Sequence, residues 1–201
     1  MPAATLPISA ERNERIPPRE RLLAVAAELF YRHGIRAIGV EAIAEAAATN
    51  KMTLYRHFAS KDELVAECLR QVARQGAERW HVYEQAHPDD PLGQIRAWLA
   101  EVAEHVADTN HRGCALANAA VELPDKTHPV RRVIEEYKIA QRDRLAGLCR
   151  SAGLEEPAML ADELYLLLEG ARVTAQSVGV DGLGARLMRM GEAMIAAHQA
   201  R

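Results

Sequence analysis

Two short apolar repeats separated by a three-residue break constrain this chain more than any other feature. Val40, Ile43, Ala44 and Ala47 recur at helical spacing over barely two turns, and Ala48-Thr49-Asn50 interrupts them. A second short helix follows from about Lys51 to Phe58, with Leu54 and Phe58 as its only clear inward residues. Ser60-Lys61-Asp62-Glu63 then has the form of a capping box, a Ser N-cap with Glu three residues later. It opens a long helix whose stripe is Leu64, Val65, Cys68, Leu69 and Val72. Upstream, Pro17 and Pro18 open a helix carrying Leu22, Val25, Ala26, Leu29 and Phe30, which Gly34 closes. One longer helix and two short ones joined by about three residues is the layout of a helix-turn-helix.

The rest of the chain repeats the helical signal. Ile95, Trp98, Leu99, Val102 and Val106 mark one helix, and residues 114–122 a short one. Val130, Val133, Ile134, Tyr137, Leu145 and Leu148 mark a long one. Pro157 opens the next, with Leu160, Leu164, Leu167, Leu168 and Ala171. A glycine-rich turn at 179–184 precedes a last helix with Leu183, Leu187, Met190 and Met194. No stretch sustains the alternation of a strand, so the expected fold class is all-α. The expected organisation is a disordered arm at 1–17, a three-helix head at 18–64, and a helical body at 65–201.

Charge supports that division. Residues 1–61 carry nine Lys/Arg against six Glu, while the remainder carries 16 basic and 22 acidic residues. A basic head on an acidic body suits a polyanionic partner for the head alone. No apolar run approaches the roughly 18–20 residues of a membrane span, and the first residues lack a signal-peptide pattern. Cys68, Cys114 and Cys149 form no CxxC pair. The expectation is a cytoplasmic protein with reduced thiols, no cofactor and no metal.

The head's second short helix carries the chemistry. With Leu54 and Phe58 inward, Thr53, Tyr55, Arg56 and His57 lie on its other sides. Hydroxyls, an imidazole and a guanidinium suit base edges and phosphate oxygens, and a solvated polar face is the plainer alternative. Residues 40–64 resemble the DNA-binding region of the TetR family. The resemblance rests on Thr53-Leu54-Tyr55-Arg56-His57-Phe58 followed by Ser60-Lys61-Asp62-Glu63-Leu64. It implies DNA contacts from Thr49, Asn50, Lys51, Thr53, Tyr55, Arg56 and His57, and a phosphate contact from Lys61. Two positions depart from the family's pattern. Gly39 stands where a Ser or Thr often caps the second helix, and Ala48 where the turn usually has Gly. If residue 48 needs a positive φ, Ala is strained by roughly 1 kcal/mol. A second resemblance, to a subgroup of TetR-type body domains, covers Gly113-Cys114-Ala115-Leu116, Ala119–Leu123 and His128-Pro129-Val130.

The TetR resemblance implies that 18–64 is the DNA-binding domain and 65–201 the effector and dimerisation domain. It implies a homodimer, and the expected interface is Leu164, Leu168, Leu183, Leu187, Met190 and Met194 on the last two helices. An effector cavity is expected among Trp98, Val102, His105, Cys114, Asn118, Tyr137, Tyr165, Glu169 and Arg172, because these polar or aromatic residues interrupt apolar faces. The preferred function is a repressor released from operator DNA by a small molecule. The alternatives are a helical enzyme or metal protein using His105, His111, Cys114 and His128, and a DNA binder that answers to no ligand. No GxSxG, HExxH, Walker loop or GxGxxG occurs, which weighs against the enzyme.

Overall fold

The computed structural model describes residues 16–199; apart from Ile16 and Pro17, the arm expected at 1–17 lies outside them. Every regular element among the described residues is an α-helix. The head comprises α1 (Pro18–His33), α2 (Val40–Ala46) and α3 (Lys51–His57). The body follows with α4 (Lys61–Ala86), α5 (Pro91–Ala107), α6 (Ala115–Glu122), α7 (Pro129–Ser151), α8 (Pro157–Ser177) and α9 (Leu183–Ala197).

Local chemistry sets the boundaries. Gly34 takes φ 88° and its N–H closes α1 on the Phe30 carbonyl at 2.9 Å. Asn50 Oδ1 accepts the Thr53 N–H at 2.9 Å and starts α3. Ser60 Oγ accepts the Glu63 N–H at 3.1 Å, the forward half of the expected capping box. The return half is displaced: Glu63 accepts from the Ala59 N–H at 2.5 Å rather than from Ser60. Prolines occupy the first turns of α5, α7 and α8, where no helical donor is lost.

The molecule is packed around two apolar clusters. In the first, Leu22, Ala26, Phe30, Ile43, Leu54 and Phe58 of the head meet Leu64, Val65, Cys68 and Leu69 of α4. This cluster continues into Leu116 and Ala119 of α6 and Val130, Val133 and Ile134 of α7. The second holds Trp80, Tyr83, Trp98, Leu99 and Val102 with Leu160, Leu164, Leu168, Leu187 and Ile195. Helix α4 runs through both, so a boundary at 64/65 falls in its first turn, and the head shares its core with α6 and α7. At the other end, α9 lies tight against α5. A Cβ on Gly184 would sit 2.6 Å from the Ala103 carbonyl oxygen, and one on Gly191 2.9 Å from Leu99 Cδ1.

This packing withdraws three of the six residues of the expected dimer stripe into the protomer. Leu164, Leu168 and Leu187 are buried within the protomer, and Leu183 and Met194 pack on the same cluster. Met190 is exposed, and Leu183 and Met194 are half-exposed, Met194 lining one open hollow with Leu166. The outward face of α8 is instead Met159, Leu166 and Val173, with Leu166 73% and Val173 62% exposed. Periodicity had found an apolar stripe on α8; the stripe that α8 turns to α5 and α9 is not available to a second copy.

Candidate DNA interface and effector site

Helix α3 is held by its inner residues and open on its outer ones. Leu54 and Phe58 are buried, Arg19 lies over the Phe58 ring at 5.2 Å, and Arg21 Nε donates to the Ala47 carbonyl at 2.7 Å. The turn before α3 places Ala48 at φ 49°, the positive-φ position that the sequence left open. Gly39 caps α2 without a side-chain bond. Lys51, Tyr55 and Arg56 are exposed, and Thr49, Thr53 and His57 half-exposed. Lys51 Nζ pairs with Glu41 at 2.6 Å, so an incoming phosphate or base must replace a carboxylate. Arg56 donates to the Thr53 hydroxyl at 3.4 Å. Asn50 is spent on its cap through one oxygen, leaving its amide N–H groups free of that bond.

Lys61 is also engaged within the protein. Its amine donates to the Ile35 carbonyl at 2.6 Å and lies over the Phe30 ring at 5.9 Å, tying α4 to the α1–α2 turn. A phosphate contact from Lys61 would need its remaining donors. Met52 went unnoticed in the sequence, yet it is the most exposed large apolar residue of the head at 82%. A methionine one residue from a lysine reads as ordinary helix filler until the structure shows nothing over it.

In the body, the expected effector residues separate into three groups. Trp98 and Val102 are core: Trp98 stacks on Trp80 at 5.8 Å, and Trp80 Nε1 donates to buried Gln141 at 2.6 Å. Asn118 belongs to the junction with the head, where it donates to the Arg112 carbonyl at 2.7 Å and lines a narrow apolar cavity of about 30 Å³ with Phe30, Cys68 and Leu69. Cys114, Tyr137, Tyr165, Glu169 and Arg172 come together, with His105 beside them. Glu169 receives Lys138 at 2.7 Å and Arg172 at 2.5 Å, and Lys138 lies over the Tyr165 ring at 5.4 Å. Burial opposes the charge of Glu169, but Lys138 and Arg172 hold its carboxyl below the usual range. Burial pushes the Tyr137 phenol up to about 12, with Cys114 and Tyr165 adding to it. The Tyr137 hydroxyl packs where a Cβ of Gly76 would be.

His105 and His111 stack at 4.9 Å, and burial holds both rings below the usual imidazole range. His128 is elsewhere, capping α7 and facing Asp62 at 3.3 Å. The four residues of the metal alternative therefore do not converge, and among the described residues no group of three or more His, Cys, Asp or Glu is placed to hold a metal.

The segment between this cluster and α6 grips the head. The Tyr31 hydroxyl accepts the Arg112 N–H at 2.6 Å and lies 3.1 Å from His111 Nδ1. The Arg112 guanidinium donates to the carbonyls of Tyr31, at 3.0 Å, and Arg32. Glu122 accepts the Arg36 N–H at 3.0 Å, its carboxylate packed on Gly34. The last turn of α1 is thus bonded to residues 111–122.

A helical head of this form on a helical body defines a class of one-component DNA-binding regulators. Residues 22–68 match the family of bacterial regulatory proteins of the tetR type. Over nine-tenths of the chain the fold agrees with the TetR-family regulator SCO4454 of Streptomyces coelicolor. That match has a TM-score of 0.86 at 27% identity and covers 91% of this chain and 96% of the other. A TetR-type regulator of Streptomyces avermitilis, sav143, is 31% identical with a TM-score of 0.77, over 92% of this chain and all of its own. The transcriptional repressor KstR2 of Mycobacterium tuberculosis is 48% identical over 63 residues, 31% of this chain and 30% of that protein. The chain belongs to the TetR family of transcriptional regulators, DNA-binding proteins and not enzymes. None of the helices among the described residues is long and apolar enough to cross a membrane.

Proposed function

We propose that this chain is a cytoplasmic homodimeric repressor. In this reading α3 enters the major groove of operator DNA, and a small molecule seated around Cys114, Tyr137, Tyr165, Glu169 and Arg172 lowers DNA affinity. The observation that carries the proposal is the bonding of α1 to residues 111–122, which lie between that cluster and the head. An effector that favours one arrangement of this segment changes the position of both heads, and with it their fit to two half-sites. Relatives similar over the head alone include the repressor KstR2 and the activator FasR, so the repressor sign rests on the release mechanism and not on the head. The division into a head at 18–64 and a body at 65–201 is retained as a functional one.

Base edges are assigned to Lys51 and Thr53, phosphates to Tyr55, Arg56 and His57, with Thr49, Asn50 and Lys61 at the periphery. The dimer face is moved to Met159, Leu166, Val173 and Met190, since an apolar patch of this kind on two adjacent helices marks a protein interface. Selection of genomic fragments by the full-length protein, repeated across a metabolite library, tests the whole reading. The expected result is a discrete set of bound fragments and at least one compound that releases them. A Tyr31→Phe variant should still bind the compound, read by Trp98 and Trp80 fluorescence, but release DNA less well. Binding of all fragments alike, with no compound having any effect, defeats the proposal.

A further inference from the structure

The side of α3 opposite Leu54 carries Met52 and Arg56, four residues apart and therefore on one face. Tyr55 flanks them, and Lys51 Nζ lies over its ring at 5.9 Å. Lys51, Met52, Tyr55 and Arg56 together line a shallow, largely apolar hollow. Met52 sits in it with 82% of its surface open, although the rest of the head's large apolar residues are mostly packed away. An unbranched thioether side chain is flexible and polarisable, suited to filling an irregular apolar gap in a partner. It cannot serve as a phosphate ligand, since it donates nothing. In a major groove the apolar group on offer is the C5-methyl of thymine, which marks one strand of an A·T pair unambiguously. Arg56, and Lys51 once it exchanges Glu41 for DNA, flank the methionine and draw this face of the helix to the polyanion.

We propose that Met52 is a specificity-determining residue that reads a thymine methyl in each half-site. The inference rests on the placement of α3 in the major groove proposed above. Because Met52 touches no core, its replacement leaves the fold intact, which the thermal midpoint verifies.

The test uses the full-length protein, as wild type and as Met52→Ala. Each is taken through rounds of selection from a random duplex library. Thymines in the wild-type consensus are then replaced singly by deoxyuracil, which removes only the methyl group. The wild type should require a thymine at one position per half-site that the variant leaves free. Deoxyuracil there should weaken the wild type about four-fold per half-site, the value of one buried methyl-sized group, and leave the variant unchanged. If both proteins select one consensus and respond equally to deoxyuracil, the role of Met52 is overturned while the groove placement stands. If Met52→Ala loses affinity for all sequences alike, Met52 lies against the sugar-phosphate backbone and the base-reading role is again overturned. If the wild type selects no consensus, both readings fall.

Discussion

Helices α3 and α8 each turn one face to the molecule and one to the outside, but they differ in how many apolar stripes they carry. In α3 two residues in register, Leu54 and Phe58 at its end, are apolar and buried, so the outward residues follow by elimination. In α8 Leu160, Leu164, Leu168 and Ala171 form one stripe, while Met159, Leu166 and Val173 form another. Both satisfy helical periodicity. A pattern says that a stripe is covered and says nothing of whether the cover is the same chain or a second copy. The stripe with the more regular leucines proved to be the one covered from within.

The largest expected effect tests that assignment directly. Leu164→Ala or Leu168→Ala should destabilise the protomer by about 2–5 kcal/mol, as deletion of fully buried leucine atoms does. Urea unfolding at fixed protein concentration measures it. A change below about 1 kcal/mol would return these leucines to an adaptable surface and erase the difference between the two stripes.

The outer stripe should behave in the opposite way. Leu166→Glu combined with Val173→Glu should keep the helical circular dichroism of the protomer while sedimentation shows monomers. Loss of the second head removes the linked binding event, so operator affinity should fall by roughly 100-fold or more. A charged variant that still sediments as a dimer would mean that α8 does not carry the interface.

The head was more legible than the body for the same physical reason. The Ser60 cap is a side-chain bond to backbone three residues away, so adjacent residues sufficed to foresee it, while the Asn50 cap, equally local, went unread because Asn50 was taken only as a DNA contact. The positive φ of Ala48 was legible only as a condition, through comparison with a family that has Gly there. What was not foreseen depends on contacts distant in sequence. Trp98 was read as a pocket wall, whereas it stacks on Trp80, and Lys61 was read only as a phosphate ligand, whereas its amine also donates a hydrogen bond to the Ile35 carbonyl. Met52 was missed because exposure of an apolar residue has no sequence signature. The cluster of Tyr137, Tyr165, Glu169 and Arg172 was found in outline, since charged residues on apolar helices announce themselves, but its third charge, Lys138, comes from α7.

A smaller effect separates the head's own strain from the body's packing. Ala48→Gly should stabilise the protein by about 1 kcal/mol, because Gly adopts φ 49° without the Cβ clash. The gain in unfolding free energy is offset in part by the greater freedom of Gly in the unfolded chain. Destabilisation by this change would show that residue 48 is not strained and that the turn gains nothing from a glycine.

The smallest effect concerns the junction between head and body. His105 and His111 are stacked, and burial, followed for His111 by the neighbouring His105, holds both below the ordinary imidazole value of 6.5. Arg172 and Arg79 act in the same sense on His105, while Glu101 and Glu104 oppose it; Arg172 also acts on His111, where Asp108 opposes. The unfolded chain therefore takes up protons at a pH where the folded chain still refuses them. Stability from these rings is complete above the unfolded value and is lost as pH falls from there through the folded values. Unfolding free energies at about pH 8 and about pH 5.5 give the slope, and a His105→Gln, His111→Gln double variant gives the part due to the pair. Glutamine keeps an acceptor for the Tyr31 hydroxyl, which His111 faces at 3.1 Å, so the difference between the two pH values reports proton uptake rather than a lost bond. Wild type should lose more stability on acidification than the double variant. Equal slopes would mean that the two rings titrate as they do in water, and that the segment joining the Glu169–Arg172 cluster to α1 is wetter than its packing indicates.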